Sequence, residues 1–282
     1  MNSFCIAHRR LPALDPEVMK TNFVVFLTLG VALNSYAAFP AAQTMEECDR
    51  IYSERGSARL LQAVECYGAM AQGASADEAR LQLFERSMIA LSAVVNDEPK
   101  TQAEANAIAK AFPILDEMGK RIPNSADYFY WRAVFTSFDA IRRDRGSVLP
   151  RHLFAVLRSL QDDLRRAIEL NPKIHVYGPN RVLGIMHTQM PGIVGGDKVL
   201  AEKMLREAYT KAPEISLNHV AYARILQVNG KDAQAKEVLT RFLAKSETEL
   251  DPYPAEPLRS VKPELQKDRA EAVKLLEEID GE

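Results

Sequence analysis

The feature that most constrains the fold of this chain is a short series of small and large apolar residues at fixed intervals. Ala201, Leu205, Ala208 and Pro213 follow one another at steps of four, three and five. On a helix the first three share one face. Two small residues flanking a large one let a neighbouring helix approach closely, and the proline stops the helix from running on. The partner helix lies just upstream, where Leu183 and Gly184 supply the other side of the contact, and the Gly/Pro-rich stretch MPGIVGGD makes the turn. Tyr177 to Pro213 therefore predicts a helical hairpin, and the remaining chain can be read as its neighbours.

The same order recurs on both sides. Leu160, Leu164, Ala167 and Pro172 repeat the spacing with Leu in the first small position, and Ala223, Gly230, Ala235, Leu239 and Phe242 form the tidiest copy, turning at Asn229-Gly230. These intervals match the packing positions of the tetratricopeptide repeat (TPR). Nothing between Ala38 and Glu282 reads as a strand. Helical patterns cover Met45–Glu54, Ala58–Ala71 and Ser75 to about Asn96, where Ser75-Ala76-Asp77-Glu78 is a start signal. A helix beginning near Thr101 is expected to kink or restart at Pro113, and others span Ala126–Arg143 and about Pro150–Leu170. The Pro-rich stretch 247–263 reads as irregular, anchored by Tyr253 and Leu258, and a last helix, Glu264–Ile279, would cover the apolar end of the stack. The expected fold is all-α: a TPR-like solenoid of helical hairpins with an irregular Pro-rich segment and a C-terminal capping helix. Its parts are a leader (1–37), an N-terminal helical region (38–125) and a repeat region (126–282).

The leader is read from three signals. Met19-Lys20 supplies charge, Phe23–Leu33 a short apolar run, and Ser35-Tyr36-Ala37-Ala38 small residues at a cleavage site. Met19 is the expected true start and Ala37/Ala38 the cleavage point, which makes the protein an exported one. Cys5 then falls in the discarded segment, leaving Cys48 and Cys66 on the two helices of the first hairpin. Two small buried residues are one reading of the pair; an oxidising compartment favours a disulfide, which would add about 3 kcal/mol by loop closure. A net charge of −2 gives no reason to expect nucleic acid or an anionic membrane as partner.

The segment GPNRVLGIMHTQMPGIVGGDKVLAEKMLREAYTKAP resembles the TPR protein associated with tripartite ATP-independent periplasmic (TRAP) transporters. The likeness rests on Gly178-Pro179, Arg181, Leu183-Gly184, Pro191-Gly192 and Gly195-Gly196-Asp197, and extends over roughly Ala126 to Ile279. The resemblance implies a periplasmic location, a homotrimer with a central pore, and docking with a periplasmic substrate-binding protein. The chain departs from the family in lacking a lipid-attachment cysteine after the apolar run.

No catalytic constellation is legible. His152, His175, His187 and His219 stand outside any HxxxH, HExxH or CxxC context, and no GxSxG, P-loop or GxGxxG occurs, so no enzyme activity, cofactor or metal is expected. His187 reads as a packed residue. Gly195-Gly196-Asp197 reads as a structural turn whose aspartate caps the following helix; an anion site there is disfavoured because Asp197 would repel it. The concave face of such a repeat would carry Arg132, Arg181 and Arg224, one per repeat, with Ile185 one turn after Arg181. Arginine is the preferred carboxylate clamp, which points to a small organic or amphiphilic solute. Pairing with acids such as Asp139 is the structural alternative. The function expected is a non-catalytic accessory of a TRAP-type uptake system; an envelope scaffold holding a peptide in the same groove is the alternative.

Overall fold

A computed structural model describes residues 44–147, 151–251 and 262–281. The leader with Met19, the cleavage site, Cys5, and the anchors Tyr253 and Leu258 lie outside the described residues. Within these the chain is all-helical, with eleven α-helices and no strand. None of the described helices is long and apolar enough to cross a membrane.

The first five helices are α1 (Met45–Ser53), α2 (Ser57–Gly73), α3 (Asp77–Asp97), α4 (Gln102–Arg121) and α5 (Ala126–Asp144). Helices α1 and α2 form the expected hairpin, turning at Arg55 and Gly56, both with positive φ. The Cys48–Cys66 disulfide crosses it, with Cα atoms 5.5 Å apart. Buried Asp49 adds a second tie, accepting from the Tyr67 hydroxyl at 2.6 Å and pairing with Arg86 of α3. Thr44, Thr101 and Ser125 cap α1, α4 and α5 through side-chain oxygens. Ser75 does not play that part for α3. The residue before this helix is Ala76, without a side-chain cap, and Asp77 instead pairs with Arg80 one turn on at 3.0 Å.

Pro113 does not restart the chain as the sequence suggests. Helix α4 runs through it. Pro113 is exposed, so water can serve the carbonyl it leaves unpaired, while Ala107, Ile108 and Ala111 before it and Leu115 and Met118 after it keep one buried face.

The remaining helices are α6 (Arg151–Leu170), α7 (Gly178–Gln189), α8 (Lys198–Lys211), α9 (Ser216–Val228), α10 (Asp232–Ala244) and α11 (Lys262–Asp280). They pack as successive pairs, α5 on α6, α7 on α8 and α9 on α10. Leu160, Leu164, Ala167, Leu183, Ala201, Leu205, Ala208, Ala223, Ala235, Leu239 and Phe242 are all essentially inaccessible. Helices α7 and α8 approach tightly at Gly184, where a Cβ would stand 2.6 Å from Cγ of Leu205.

Helix α11 packs on α9 and α10, burying Leu265, Ala272, Leu275 and Ile279. It also reaches the far end of the sequence. Arg55 bonds both Asp97 (2.8 Å) and Glu264 (3.1 Å), and Lys267 pairs with Asp97 at 3.0 Å. The first turns of α11 thus join the N-terminal helices to the last ones.

Candidate functional site

The three arginines assigned to one concave face meet different fates. Arg132 donates through two nitrogens to Asp163 of α6, bonds the Tyr128 hydroxyl at 2.7 Å, and lies over the Tyr128 and Phe129 rings. Asp163 is buried, so it requires this partner. Arg224 is held by Glu271 (2.7 Å) and Glu278 (2.6 Å), because α11 lies against α9 and fills the face on which this arginine stands. Ile185 packs into the C-terminal core. The structure does not bring these four residues into one site.

Arg181 differs from the other two: among the described residues it makes no ion pair. It lines a cavity of about 370 Å³ between the start of α9, the 3-10 turn Thr248–Leu250 and the start of α11. Its guanidinium is held by neutral oxygens, Oδ1 of Asn218 at 3.0 Å and the carbonyls of Val176 (3.3 Å) and His175 (3.5 Å). The arrangement is imposed from behind. Asn218, fully buried, donates its amide to the Ala208 and Ala212 carbonyls at the end of α8, at 3.0 and 2.8 Å, which leaves only Oδ1 to face Arg181. The guanidinium is positioned without being neutralised.

Across the cavity stands Asp268 of α11, accepting from the Ser216 hydroxyl. Burial pushes its carboxyl up to about 6; Ser216 and the charge of Arg181 pull the other way, and Glu264 adds to the rise. Ile215, Leu217 and Leu250 provide apolar wall. The cavity therefore offers a charged two-nitrogen donor, a carboxyl that protonates in mild acid, further charges from Glu214, Glu264 and Lys267, and an apolar flank. No local motif marks Asn218, Ser216 or Asp268, because α9 and α11 are brought to Arg181 only by tertiary folding.

The Gly195-Gly196-Asp197 turn is conformational. Gly195 has φ +93°, and a Cβ on Gly196 would fall 1.9 Å from the Met190 carbonyl oxygen. Asp197 caps α8, accepting from the amides of Val199 (3.0 Å) and Leu200 (2.9 Å). Ile193 on this turn is 96% exposed, and Val199 in the first turn of α8 is 81% exposed. His187 is buried, and burial lowers its pKa against the opposing pull of the Gly195 backbone. No protein-family model matches the chain, and no curated protein matches it.

Proposed function

We propose that this chain is an exported, non-catalytic helical-repeat protein of the TPR kind that binds a small carboxylate solute at Arg181 and serves a TRAP-type uptake system. What carries the reading is the contrast among the three arginines: two are paired directly with carboxylates, while Arg181 lines a cavity and donates its hydrogen bonds to neutral oxygens. A guanidinium beside a cavity and without a direct ion pair keeps donor capacity for an anion supplied from outside, in competition with the cavity's own carboxylates. Leu217 and Leu250 suit an apolar body attached to the carboxylate. The pairwise packing of helices and the buried small–large–small registers support the repeat assignment. The disulfide fits an oxidising compartment. Exposed Ile193, on the turn between α7 and α8, and Val199, in the first turn of α8, supply apolar surface for docking with a periplasmic substrate-binding protein or for a homotrimer.

The test is a thermal-shift screen of short- and medium-chain organic acids, followed by titration calorimetry on the parent and Arg181→Lys. Lysine keeps the charge and loses the two-nitrogen fork, so affinity should fall about 10- to 150-fold, the equivalent of a charge-assisted hydrogen bond worth about 1.5–3 kcal/mol. Equal affinity in the two proteins, with equal melting temperatures, would remove Arg181 from the site.

A further inference from the structure

We propose a binding site for a first-row transition-metal dication of the zinc class at Glu85, Asp127 and His175, apart from the Arg181 cavity. One ligand atom from each residue lies within 4.8 Å of the other two. The three come from different elements: Glu85 from the middle of α3, Asp127 from the first turn of α5, and His175 from the turn between α6 and α7. An oxygen–oxygen–nitrogen set suits a borderline cation, whereas calcium and magnesium take oxygen alone.

The imidazole points to a ligand independently of the carboxylates. The His175 side chain is only 10% exposed, and its Nε2 is buried without a hydrogen-bond partner. That nitrogen nevertheless stands 3.2 Å from Oδ1 of Asp127. A hydrogen bond at this separation requires the N–H to aim at the oxygen, and it does not. Two atoms bound to one metal need no such alignment, and with bonds of about 2.1 Å a tetrahedral edge measures about 3.4 Å. Glu85 approaches from the other edge of the ring, Oε1 3.8 Å from Nδ1, and reaches an ion on Nε2 only by turning its carboxylate within the 4.8 Å that separates the three ligand atoms. Three protein ligands leave a fourth position for water.

The surroundings fix the ligands. Ser125 donates to Oδ2 of Asp127 at 3.3 Å, which leaves Oδ1 turned toward His175. The imidazole stacks on Tyr130, ring centres 4.5 Å apart, and meets the edge of Trp131 at 4.9 Å. Gly178 leaves room for this stack, since a Cβ there would lie 3.0 Å from Cβ of His175 and 3.1 Å from the Tyr130 ring. The turn itself is costly: His175, Val176 and Tyr177 all have positive φ, at 47°, 53° and 59°. Consecutive left-handed residues other than glycine are rare and persist only where the surroundings over-determine them. A metal bond at the first of them would fasten the turn to the N-terminal helices.

The competing arrangement is a protonated imidazole bridging two carboxylates with no metal, and experiment separates the two. Purified full-length protein is stripped with chelator and titrated with Zn²⁺ by calorimetry and with Co²⁺ by visible absorption, with melting followed throughout. One equivalent of Zn²⁺ should bind, raise the melting temperature, and displace a Co²⁺ spectrum of low symmetry. Asp127→Asn and Glu85→Gln keep size and the Ser125 cap and should weaken binding by more than the about 10- to 100-fold expected for an outer-shell partner. His175→Gln should abolish it, while His152→Gln, at a histidine paired with Asp144, should bind as the parent does. Folded parent that binds neither ion, or binding unchanged in Asp127→Asn and Glu85→Gln, would overturn the site.

Discussion

The contact between Gly184 and Leu205 gives the sharpest test of the repeat packing, because two known effects oppose each other there. Replacing a helix-interior glycine by alanine removes backbone entropy from the unfolded chain and favours the helix by about 1 kcal/mol. At Gly184, inside α7, the added Cβ would lie 2.6 Å from Cγ and 2.9 Å from Cδ2 of Leu205, and 3.4 Å from the Ala201 carbonyl oxygen. Leu205 is 1% exposed and its neighbours Ala201 and Ala208 are fully buried, so the isobutyl group has no free volume to swing into. Overpacking of this kind costs about 1–3 kcal/mol, and the rigid surroundings favour the upper part of that range. Gly184→Ala should therefore lose about 1–2 kcal/mol net. Gly68 is the matched control: it lies inside α2, and a Cβ there would meet nothing within 4 Å. Gly68→Ala should gain about 0.5–1 kcal/mol. Urea denaturation of the two variants under one buffer measures both. A further check is the double variant Gly184→Ala with Leu205→Ala, which should be less destabilised than the sum of its parts, since removing the leucine also removes the overlap. If Gly184→Ala stabilises as Gly68→Ala does, α7 and α8 do not meet there and the packing register is wrong.

Two predictions concern pH. Glu202 of α8 accepts from Lys231 (2.7 and 2.8 Å), Asn229 (2.8 Å) and Arg206 (2.6 Å), and chiefly the Lys231 bond holds its carboxyl down at about 2. A folded-state pKa below the unfolded one stabilises above the unfolded value and is lost on acidification, so Glu202→Gln should cost about 1–2 kcal/mol at pH 7, allowing for solvent screening, and nothing near pH 2. Asp268 has the opposite sign: its pKa is raised to about 6, so stability falls as pH rises from about 4 through 6, and Asp268→Asn should gain up to about 2 kcal/mol at pH 7.5 and nothing at pH 4. Denaturant midpoints across pH 2–8 read both; a flat difference for either variant would refute the assignment.

Much of the helical architecture is legible in the sequence because it depends on local periodicity. Apolar residues at helical spacing place most helices to within a few residues, and the small–large–small order picks out Ala201, Leu205 and Ala208 as fully buried. What escapes is whatever depends on distant partners. Asp139 was the natural candidate to neutralise a groove arginine, yet it pairs with Arg142 and Arg143 on its own helix, while Arg132 turns to Asp163. Arg224 is neutralised by a helix that reads only as an end cap. Pro113 stands on an exposed face where its missing amide costs little, and proline alone does not report which face it occupies. The left-handed turn has partial signals: Pro172 and Gly178 bracket it, but nothing in Lys173-Ile174-His175-Val176-Tyr177 marks three successive positive φ values. Glu85, Asp127 and His175 share no local motif, and only packing of three elements brings them together.

The turn also decides how the two proposals must be told apart. Arg181 donates to the carbonyls of His175 and Val176 while lining the cavity, so it belongs physically to both regions. Arg181→Lys would loosen the turn that presents His175 as well as the solute clamp, and weaker solute binding in that variant could coincide with weaker metal binding. Asp127 has no such double contact. It stands on α5, bonded to Ser125 and facing His175, and is not part of the cavity wall. Asp127→Asn therefore removes a metal ligand and leaves the Asn218–Arg181 support in place. On the solute side, Asp268→Asn alters the cavity wall through α11 without touching the turn. Because each variant acts at one end of the Arg181 link, failure of metal binding and failure of solute binding produce different patterns across the same three proteins. Arg181→Lys is informative only beside the other two.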